Sequence, residues 1–451
     1  MKIIIIGAGE VGFHLAKKLS EKSQDVIIVD KDPIKIKRIN DELDVQSFEG
    51  SGTSPELLKD AGIKNADMLI AVTDSDEVNL ISCLLGRNIN PLMIKIARVR
   101  NKEYIAEKEL FGKDLLGVDH VINPQDETVS SIIQLLQTPA ASDVIDFMDG
   151  RIKLVGIIIK KENLLCNKRL SEISFDANIL IGSIIRGDNV IIPKGDSIIQ
   201  EGDLVYIVLK CEQINSTLKT LGIEEETIKR VFIVGAGETG TELAFALDNT
   251  KFHTKIIDNK FEKCSKLAET LNKVIVIHGN GSDKKLLQEE NIEGADYLIA
   301  LTGDEETNLI VSMIGNRLGV KKTIARVNKL GYISFVSAIG INSIVSPRIS
   351  AFRSILQFIR KGKIISVAPL KGDYAEAIEA EALETSEIVN IPLANLKLPD
   401  GVLIGAIVRN DEIIIPRGNS IIIPNDHVII FALQAAIPKL EKLLTVKLEY
   451  F

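Results

Sequence analysis

The sequence predicts an α/β protein made of two parallel-sheet domains, each followed by a small α+β domain. Three repeated features predict this fold: a glycine-rich turn, an acidic residue after each turn, and a β-rich segment further along each half. The turns read Gly7-Ala8-Gly9-Glu10-Val11-Gly12 and Gly235-Ala236-Gly237-Glu238-Thr239-Gly240. Asp258 follows the second turn at the same distance as Asp30 follows the first. A repeat with so long a fixed offset indicates duplication of a whole domain.

The first element of each parallel-sheet domain is a short apolar strand. Residues 3–6 are all isoleucine, which is typical of a strand covered on both faces. The glycine turn follows, and after it come apolar residues at helical spacing, Val11, Leu15, Ala16 and Leu19. Residues 26–29 form a second apolar strand that ends at Asp30. This order of strand, turn, helix, strand and acid predicts a Rossmann-like nucleotide-binding fold.

Each glycine of the first turn has its own role in such a site. Gly7 permits the tight turn, Gly9 lets a pyrophosphate approach the backbone, and Gly12 lets the helix pack close to the strand. The free amides at the helix N-terminus face the phosphates. Asp30 is placed to accept hydrogen bonds from ribose hydroxyls, and its charge repels a 2′-phosphate, so NAD(H) is favoured over NADP(H). ATP, ADP and AMP satisfy the same contacts and are not excluded.

A further pair of matching strands leads to the same sites. Residues 68–72 are apolar and are followed by Thr73-Asp74, while the second copy has Thr302-Gly303 at this place. Because ligands of open α/β sheets lie over the carboxyl ends of strands, both threonines are expected to line the pockets. The change from aspartate to glycine implies that the two sites need not bind equally. An alternative for either copy is a Rossmann-like fold whose site has gone unused.

Charged residues near the turns complete the predicted sites. Glu10 is unfavourable beside a phosphate, and Arg98, with Arg326 in the second copy, is the expected offsetting charge. The acids Asp74, Asp76 and Glu77 are interpreted as a solvated loop rather than a metal site. No metal site and no catalytic residue are predicted. The predicted nucleotide contacts are Gly7, Ala8, Gly9, Glu10, Val11, Gly12, Asp30, Thr73, Asp74, Arg98, Gly235, Gly237, Glu238, Thr239, Gly240, Asp258, Thr302 and Arg326.

The β-rich segments predict a small α+β module after each parallel-sheet domain. In the first module, β-branched runs separated by turn signals occupy residues 155–159, 179–185, 190–192 and 204–208. The motif that begins with Ile181-Gly182 recurs at Ile404-Gly405. The module contains no nucleophile with a base and no metal-ligand cluster. It is therefore either a sensing or assembly module or a purely structural appendage.

The repeats divide the chain into four predicted domains. These are residues 1–124, 140–225, 229–348 and 365–451. Apolar-striped helices, predicted at residues 128–136 and 349–359, connect the two kinds of domain within each half. Such helices pack either on a partner subunit or within their own chain.

Composition narrows the class of protein. The net charge of −8 argues against a nucleic-acid binder, which needs a basic face to meet phosphates. The four cysteines are scattered and are interpreted as reduced thiols packed like small apolar residues, not as a zinc site. No secretory signal is visible, and no run of about 18 apolar residues that would span a membrane. The chain is therefore expected in the cytoplasm.

These motifs together resemble a known family. The glycine turn with Asp30, the segment Glu49-Gly50-Ser51-Gly52, and the Thr73-Asp74 and Ala97-Arg98 pairs are similar to the N-terminal half of an RCK (regulator of potassium conductance) domain. The segment from Ile181 to Asp203 is similar to the C-terminal half of that domain. Two such domains in one chain resemble the cytoplasmic regulatory subunits of Trk-type potassium uptake systems, over nearly the whole length.

The resemblance implies a peripheral gating protein. Members form rings, here a homodimer or homotetramer, at the inner face of the membrane beneath a potassium-translocating subunit, and they bind NAD(H) or adenine nucleotides. Carried over, the contacts fall on the residues predicted above from Gly7 to Arg98 and from Gly235 to Arg326. Single-domain relatives that prefer ATP often carry an arginine in the turn, where this chain has Glu10 and Glu238, and this favours NAD(H).

The competing class is an NAD-dependent dehydrogenase with a duplicated cofactor domain. The fold permits it, because fold does not determine function. A dehydrogenase needs an acid or base and a substrate pocket beside the nicotinamide. Neither half has a histidine, lysine or tyrosine in a recognisable catalytic setting, so the protein is predicted not to be an enzyme.

Overall fold

The computed structural model describes residues 1–22, 24–112, 114–173, 179–187, 189–223, 227–329, 332, 336, 339–359, 363–370, 374–410 and 412–445. The chain forms two compact units. Unit 1 contains residues 1–127 and 347–355, and unit 2 contains residues 128–346 and 356–451. Unit 1 therefore includes a short segment that lies far down the chain from the rest of it.

Unit 1 is built on one parallel sheet, which we call lobe A1 together with its helices. Its strands are β1 (Lys2–Ile6), β2 (Asp25–Asp30), β3 (Gln46–Glu49), β4 (Met68–Ala71), β5 (Ile94–Arg98) and β6 (His120–Ile122). Its helices are α1 (Glu10–Glu21), α2 (Pro33–Glu42), α3 (Pro55–Asp60), α4 (Asp76–Ile89) and α5 (Lys102–Ala106). The strand order is β3-β2-β1-β4-β5-β6, with every pair parallel.

The apolar runs of lobe A1 form its core as predicted. Residues 3–5 of β1 are fully buried, because helices cover both faces of a parallel sheet. The pair Ala66-Asp67, which recurs as Ala295-Asp296, explains how β1 begins, since the Asp67 carboxylate accepts a hydrogen bond from the Lys2 amide at 2.7 Å. That motif is therefore structural and lies at the end of the sheet opposite the glycine turn.

Two long helices connect the kinds of lobe within each half of the chain. They are α6 (Pro124–Gln137) and, in the second half, α12 (Pro347–Ile359). Within unit 1, the Phe352 ring of α12 packs edge-on against the His14 ring of α1, with 6.1 Å between centroids. Within unit 2, the Tyr297 hydroxyl donates to the Leu135 carbonyl of α6 at 3.3 Å. Each helix thus packs, within the same chain, on a parallel-sheet lobe of the other half, as the second of the two alternatives predicts.

Glu127, in the first turn of α6, makes the stability of unit 1 dependent on pH. The Ser354 hydroxyl of α12 donates to its carboxylate, and burial raises the pKa of Glu127 to about 7. The folded state therefore holds a proton that the unfolded chain releases near pH 4.3, so this contribution to stability is complete below about pH 4.3, decreases as the pH rises, and is lost above about pH 7. We expect Glu127→Gln, which cannot ionise, to be up to about 3 kcal/mol more stable than wild type at pH 8. Thermal unfolding measured from pH 5 to pH 8 tests this, and parallel profiles for the two proteins would contradict it.

Unit 2 contains the second parallel lobe, A2. Its strands are β12 (Arg230–Val234), β13 (His253–Asp258), β14 (Ile275–His278), β15 (Tyr297–Ala300), β16 (Lys322–Arg326) and β17 (Ser343–Val345). Its helices are α8 (Glu238–Asp248), α9 (Phe261–Thr270), α10 (Lys284–Glu289) and α11 (Glu305–Arg317). The order β14-β13-β12-β15-β16-β17 repeats that of lobe A1, and every pair is parallel.

Unit 2 also contains both β-rich lobes. Lobe B1 has β7 (Asp143–Phe147), β8 (Ile152–Ile158), β9 (Leu180–Arg186), β10 (Asn189–Ile191), β11 (Leu204–Lys210) and helix α7 (Ile214–Thr220). Lobe B2 has β18 (Ile364–Leu370), β19 (Ala375–Glu381), β20 (Val402–Arg409), β21 (Glu412–Ile414), β22 (His427–Leu433) and helix α13 (Ile437–Leu444). Their antiparallel orders, β10-β9-β11-β8-β7 and β21-β20-β22-β19-β18, match position by position. The predicted fold class is confirmed.

The repeated motifs of the B lobes have structural roles. The Phe431 ring fills the space that a side chain would occupy at both motif glycines, Gly182 and Gly405, so the two antiparallel sheets share one core. In lobe B1, Arg186 forms a two-pronged pair with the buried Asp203 at 2.9 and 2.8 Å. Arg409 and Asp426 form the same pair in lobe B2 at 3.0 and 2.8 Å.

Two further expectations concern the packing of the cysteines and the presence of membrane-spanning helices. All four cysteines are free, and Cys83 and Cys264 are buried, while Cys166 is half-buried. Cys211 is exposed, so the interpretation of all four as packed thiols was wrong for this residue, which follows directly after β11. Among the described residues, we find no helix with the length and apolar character needed to cross a membrane.

Candidate nucleotide-binding sites

The candidate site of lobe A1 lies where the strand order reverses. Strands β1 and β4 are neighbours, but the chain leaves them toward opposite sides of the sheet, so a crevice opens over their carboxyl ends. The glycine turn follows β1, and Thr73 follows β4 two residues after its end. Lobe A2 has the same arrangement over β12 and β15.

The first and third glycines of the turn are required by its backbone. Gly7 has φ +106°, a conformation that side chains disfavour, and an added Cβ would lie only 3.0 Å from the Thr73 amide nitrogen. A Cβ at Gly12 would lie 1.8 Å from the Gly7 carbonyl oxygen. In the second copy, Gly235 has φ +105°, and a Cβ at Gly240 would lie 1.9 Å from the Gly235 oxygen.

The second glycine faces open space. A Cβ at Gly9 would meet nothing within 4 Å, and the same is true of Gly237. Gly9 is the N-cap of α1, and the first helical hydrogen bond runs from the Phe13 amide to the Gly9 carbonyl at 2.8 Å. The amides of residues 10–12 precede that bond and therefore point out of the helix end. This surface offers N–H donors and the positive end of the helix dipole, which suits a phosphate.

Asp30 sits at the end of β2, beside the turn. One carboxylate oxygen accepts from the Ala8 amide at 2.6 Å, and the other accepts from the Asp32 amide at 2.9 Å. Asp258 accepts from the Ala236 and Lys260 amides at 2.7 and 2.8 Å. Beyond the predicted ribose contact, these acids therefore hold the turn itself. A carboxylate has about four acceptor positions, so capacity for ribose hydroxyls remains.

The threonines after β4 and β15 are oriented by buried asparagines. Both the amide and the hydroxyl of Thr73 donate to the side-chain oxygen of Asn79, at 2.9 and 2.8 Å. The Asn79 side-chain nitrogen donates to the Arg98 carbonyl at 2.9 Å, which ties the ends of β4 and β5 together. Asn308 makes the same contacts with Thr302, at 2.8 and 2.7 Å. Both asparagines are completely buried.

The charges around the first site differ from those expected. Arg98 lies 3.6 Å from the Asp74 carboxylate, with a side chain that is 9% exposed. Glu10 instead contacts two other arginines: Arg38 of α2, at 3.1 Å, and Arg348 of α12. The charge that offsets Glu10 therefore comes from these two residues.

The acidic loop after β4 is only partly solvated. Asp74 is 83% exposed, in agreement with the interpretation of a solvated loop. Asp76 is 7% exposed and accepts from the Arg100 and Asn101 amides at 2.8 Å each, so for this residue the interpretation was wrong. The carboxylate fixes the segment after β5 and thereby shapes the rim of the crevice.

The second site differs from the first in the residues that follow β15 and in those beside Asp258. Gly303 stands where Asp74 stands in lobe A1, so the residue that pairs with Arg98 in the first copy is replaced by glycine in the second. The exposed Phe261 ring packs edge-on against His278, with 5.6 Å between centroids. Both residues lie beside Asp258, and the first copy has Pro33 and Glu49 at these places.

Sequence reasoning missed four residues of the sites. Asn79 and Asn308 recur at matching positions, and that repetition was a usable signal for their shared role. Arg38 faces Glu10 across α1 and α2, a contact that helix spacing alone does not reveal. Arg348 arrives from the other half of the chain, so its contact with Glu10 depends on tertiary structure.

Comparison with known proteins agrees with this architecture. The chain matches the TrkA-N domain family model over residues 3–124 and 231–347, and the TrkA-C domain family model over residues 154–222 and 377–445. A Trk system potassium uptake protein TrkA of Azorhizobium caulinodans is 35% identical over 458 residues, which cover 100% of both chains. A TrkA homolog of Methanosarcina mazei is 36% identical over 453 residues, covering 98% of this chain and 99% of the relative.

Solved structures with the same fold include an RCK domain and a channel. The GsuK RCK domain aligns with a TM-score of 0.62 and 18% identity, covering 98% of this chain and 94% of that chain. The GsuK channel bound to NAD also aligns with a TM-score of 0.62 and 18% identity, covering 98% and 78%. At this identity the likeness bears on the fold alone.

Proposed function

The chain belongs to the TrkA family of Trk system potassium uptake proteins, and from that membership we propose that it is a nucleotide-sensing regulatory subunit of a Trk-type potassium uptake system. It acts in the cytoplasm, at the inner face of the membrane, through a potassium-translocating partner. It assembles with further copies of itself into a ring, as a homodimer or homotetramer.

One observation supports nucleotide binding above all others. Both parallel lobes leave open space over the second glycine of the turn, between a helix N-terminus and a carboxylate at the end of the neighbouring strand. A phosphate above Gly9 or Gly237 meets amide donors, and a ribose meets Asp30 or Asp258. We propose as contacts the residues predicted from the sequence, with Asn79 and Asn308 positioning Thr73 and Thr302.

NAD(H) is the proposed ligand, with ATP or ADP as competing ligands of the same site. Asp30 and Asp258 carry a negative charge where NADP(H) has its 2′-phosphate, so that cofactor is disfavoured. The NAD bound to the GsuK channel, which has the same fold, supports this choice. When bound, the nucleotide supplies the phosphate charge that each parallel-sheet lobe recognises. The residues of the protein bind and orient the nucleotide and do not react with it.

Regulation follows from differential binding. A nucleotide that fits one conformation of the ring better than another shifts the population by that difference in affinity and by no more. Such coupling typically amounts to about 1–3 kcal/mol per site, and several sites in one ring add. The change in ring conformation then alters potassium flux through the membrane partner.

The two acids provide the first test. Asp30→Asn and Asp258→Asn each keep the size of the side chain but lose the charge that strengthens hydrogen bonds to ribose. Each change is expected to weaken NADH binding at its own site by about tenfold or more, because a charge-assisted hydrogen bond contributes about 1.5–3 kcal/mol. Calorimetric titration with NADH, NAD⁺, ATP and ADP measures this and ranks the ligands.

A matched control separates binding from folding. Asp67→Asn changes a carboxylate that also accepts a backbone amide, but at the opposite end of β1, so it should leave every affinity unchanged. Recovery of chemically unchanged NADH distinguishes a sensor from the competing dehydrogenase. Unaltered NADH affinity in the double variant of Asp30 and Asp258 would refute the proposed sites.

A further inference from the structure

Resting on the proposed function, we propose that Arg348 is a phosphate-sensing residue of the first nucleotide site, held by Glu10 in the free protein and transferred to the nucleotide phosphate on binding. The helix that carries this arginine then reports whether lobe A1 is occupied. The inference rests on an ion pair between the glycine turn and a helix that begins more than 300 residues later in the sequence.

The ion pair lies at the place where the phosphate would bind. Glu10 is the first residue of α1, directly after Gly9, so its carboxylate stands at the helix end that attracts anions. Arg348 is the second residue of α12, and its guanidinium contacts one carboxylate oxygen of Glu10. The other oxygen accepts from Arg38 at 3.1 Å.

Of the two arginines, Arg38 is the more firmly held. It forms a second ion pair with Glu42 at 3.0 Å and lies over the Phe13 ring, 4.1 Å from the ring centroid. Arg348 lies at the N-terminus of α12, and its side chain is 23% exposed against 46% for Arg38, so the contrast between them rests on the second ion pair and the ring contact of Arg38. We therefore assign to Arg348, rather than to Arg38, the change of partner from the Glu10 carboxylate to the nucleotide phosphate.

A bound phosphate competes directly with Glu10 for this arginine. The phosphate and the Glu10 carboxylate repel each other at short range, whereas a guanidinium pairs with either through two parallel hydrogen bonds. Nucleotide binding therefore weakens the Glu10–Arg348 pair and forms a phosphate–Arg348 pair in its place.

Helix α12 is placed to pass this exchange on. Only Ser346 separates the last strand of lobe A2 from the first residue of α12, and lobe B2 follows the helix in sequence. Within unit 1, Phe352 contacts both His14 and Lys22 of the α1 segment, so residues 347–355 lie along the same helix that carries the turn. A change in the ion pair of Arg348 is therefore expected to alter the packing of Phe352 against α1.

The helix that corresponds to α12 in the other half carries a different residue at this position. The matching helix α6 also begins with a proline, Pro124, but the next residue is the neutral Gln125 where α12 has Arg348. Arg348→Gln is therefore a suitable substitution, because it removes the charge and introduces the residue that α6 carries at the matching position.

The test uses the full-length chain carrying both Asp258→Asn and Gly237→Ala, which together remove binding at the second site, so that titration reports the first site. In this background we compare the unmodified Arg348, Arg348→Gln and Glu10→Gln, with NADH, ADP and phosphate-free adenosine as probes. Arg348→Gln is expected to weaken NADH and ADP binding by about tenfold and to leave adenosine binding unchanged, because only the phosphate contact is lost. Glu10→Gln is expected to tighten NADH binding by removing the competing carboxylate.

Amide hydrogen exchange supplies the second readout. NADH should change exchange in residues 347–355 when Arg348 is present and leave it unchanged in Arg348→Gln. Equal losses for adenosine and NADH would indicate a merely structural arginine and overturn the inference, as would unaltered NADH affinity in Arg348→Gln. Failure of the Arg348-containing background to bind any of the nucleotides would overturn the proposed function as well, so the two failures are distinguishable.

Discussion

Replacing Gly9 by alanine is expected to weaken nucleotide binding at the first site by about 100-fold or more while leaving the stability of the protein within about 1 kcal/mol of wild type. The backbone at Gly9 has φ −65° and ψ −174°, which alanine adopts without strain. The added methyl would meet no protein atom within 4 Å, so the free protein has room for it. That room is the space through which a pyrophosphate reaches the helix N-terminus.

The expected loss of affinity is about 100-fold or more. The methyl displaces the phosphate from its amide donors, and such a clash together with the lost hydrogen bonds costs about 3 kcal/mol. Titration of Gly9→Ala with NADH in the Asp258→Asn background measures the effect, and thermal unfolding without ligand supplies the stability. Gly237→Ala, tested in the Asp30→Asn background, repeats the experiment at the second turn, where the space is equally open. Wild-type affinity in both alanine variants would mean that the nucleotide does not use these turns.

The second large effect concerns the third glycine, and here the loss is in folding. Gly12→Ala would place a methyl 1.8 Å from the Gly7 carbonyl oxygen, a backbone atom that cannot move away without opening the turn. Inside a helix, alanine is otherwise favoured over glycine by about 1 kcal/mol. We expect the clash to exceed this gain and the variant to lose about 3 kcal/mol of stability, which calorimetric unfolding measures.

The sign of that change makes the experiment decisive. If the helix could shift away from β1, its preference for alanine would prevail and Gly12→Ala would unfold at a higher temperature than wild type. Gly9→Ala, three residues earlier in the same turn, is the matched control for adding a methyl without a clash. Gly240→Ala, with a contact of 1.9 Å, should reproduce the loss in lobe A2.

Much of the fold and part of the site could be predicted, because their causes are local in sequence. A run of buried isoleucines, a glycine turn and an acid at the end of β2 depend on backbone geometry over about 30 residues, and periodicity reports such geometry well. The duplication added a second, independent copy of every local signal. Asp30 was correctly placed at the turn for this reason, although its hydrogen bond to the Ala8 amide was not foreseen.

The misplaced residues have causes that are not local. Asp76 looks like part of a solvated acidic loop, but its carboxylate is buried by the segment after β5, which lies 24 residues further along. Arg98 was expected to offset Glu10, yet Arg348 does so together with Arg38, because α12 comes from the other half of the chain. A pattern within one window of sequence cannot register a partner from a distant one.

Because the first part of α12 belongs to unit 1, this unit can be completed only late in translation. Residues 1–127 leave the ribosome well before residues 347–355, which complete their unit. At about 5–20 residues per second, translation of the intervening chain takes about 10–45 s. During this interval the nascent lobe A1 exposes the side of α1 that Phe352 will cover, so premature termination between the two halves releases an incomplete unit rather than half of a working protein. Each half resembles a complete copy in sequence, but in the structure the second half supplies a segment that completes the first unit.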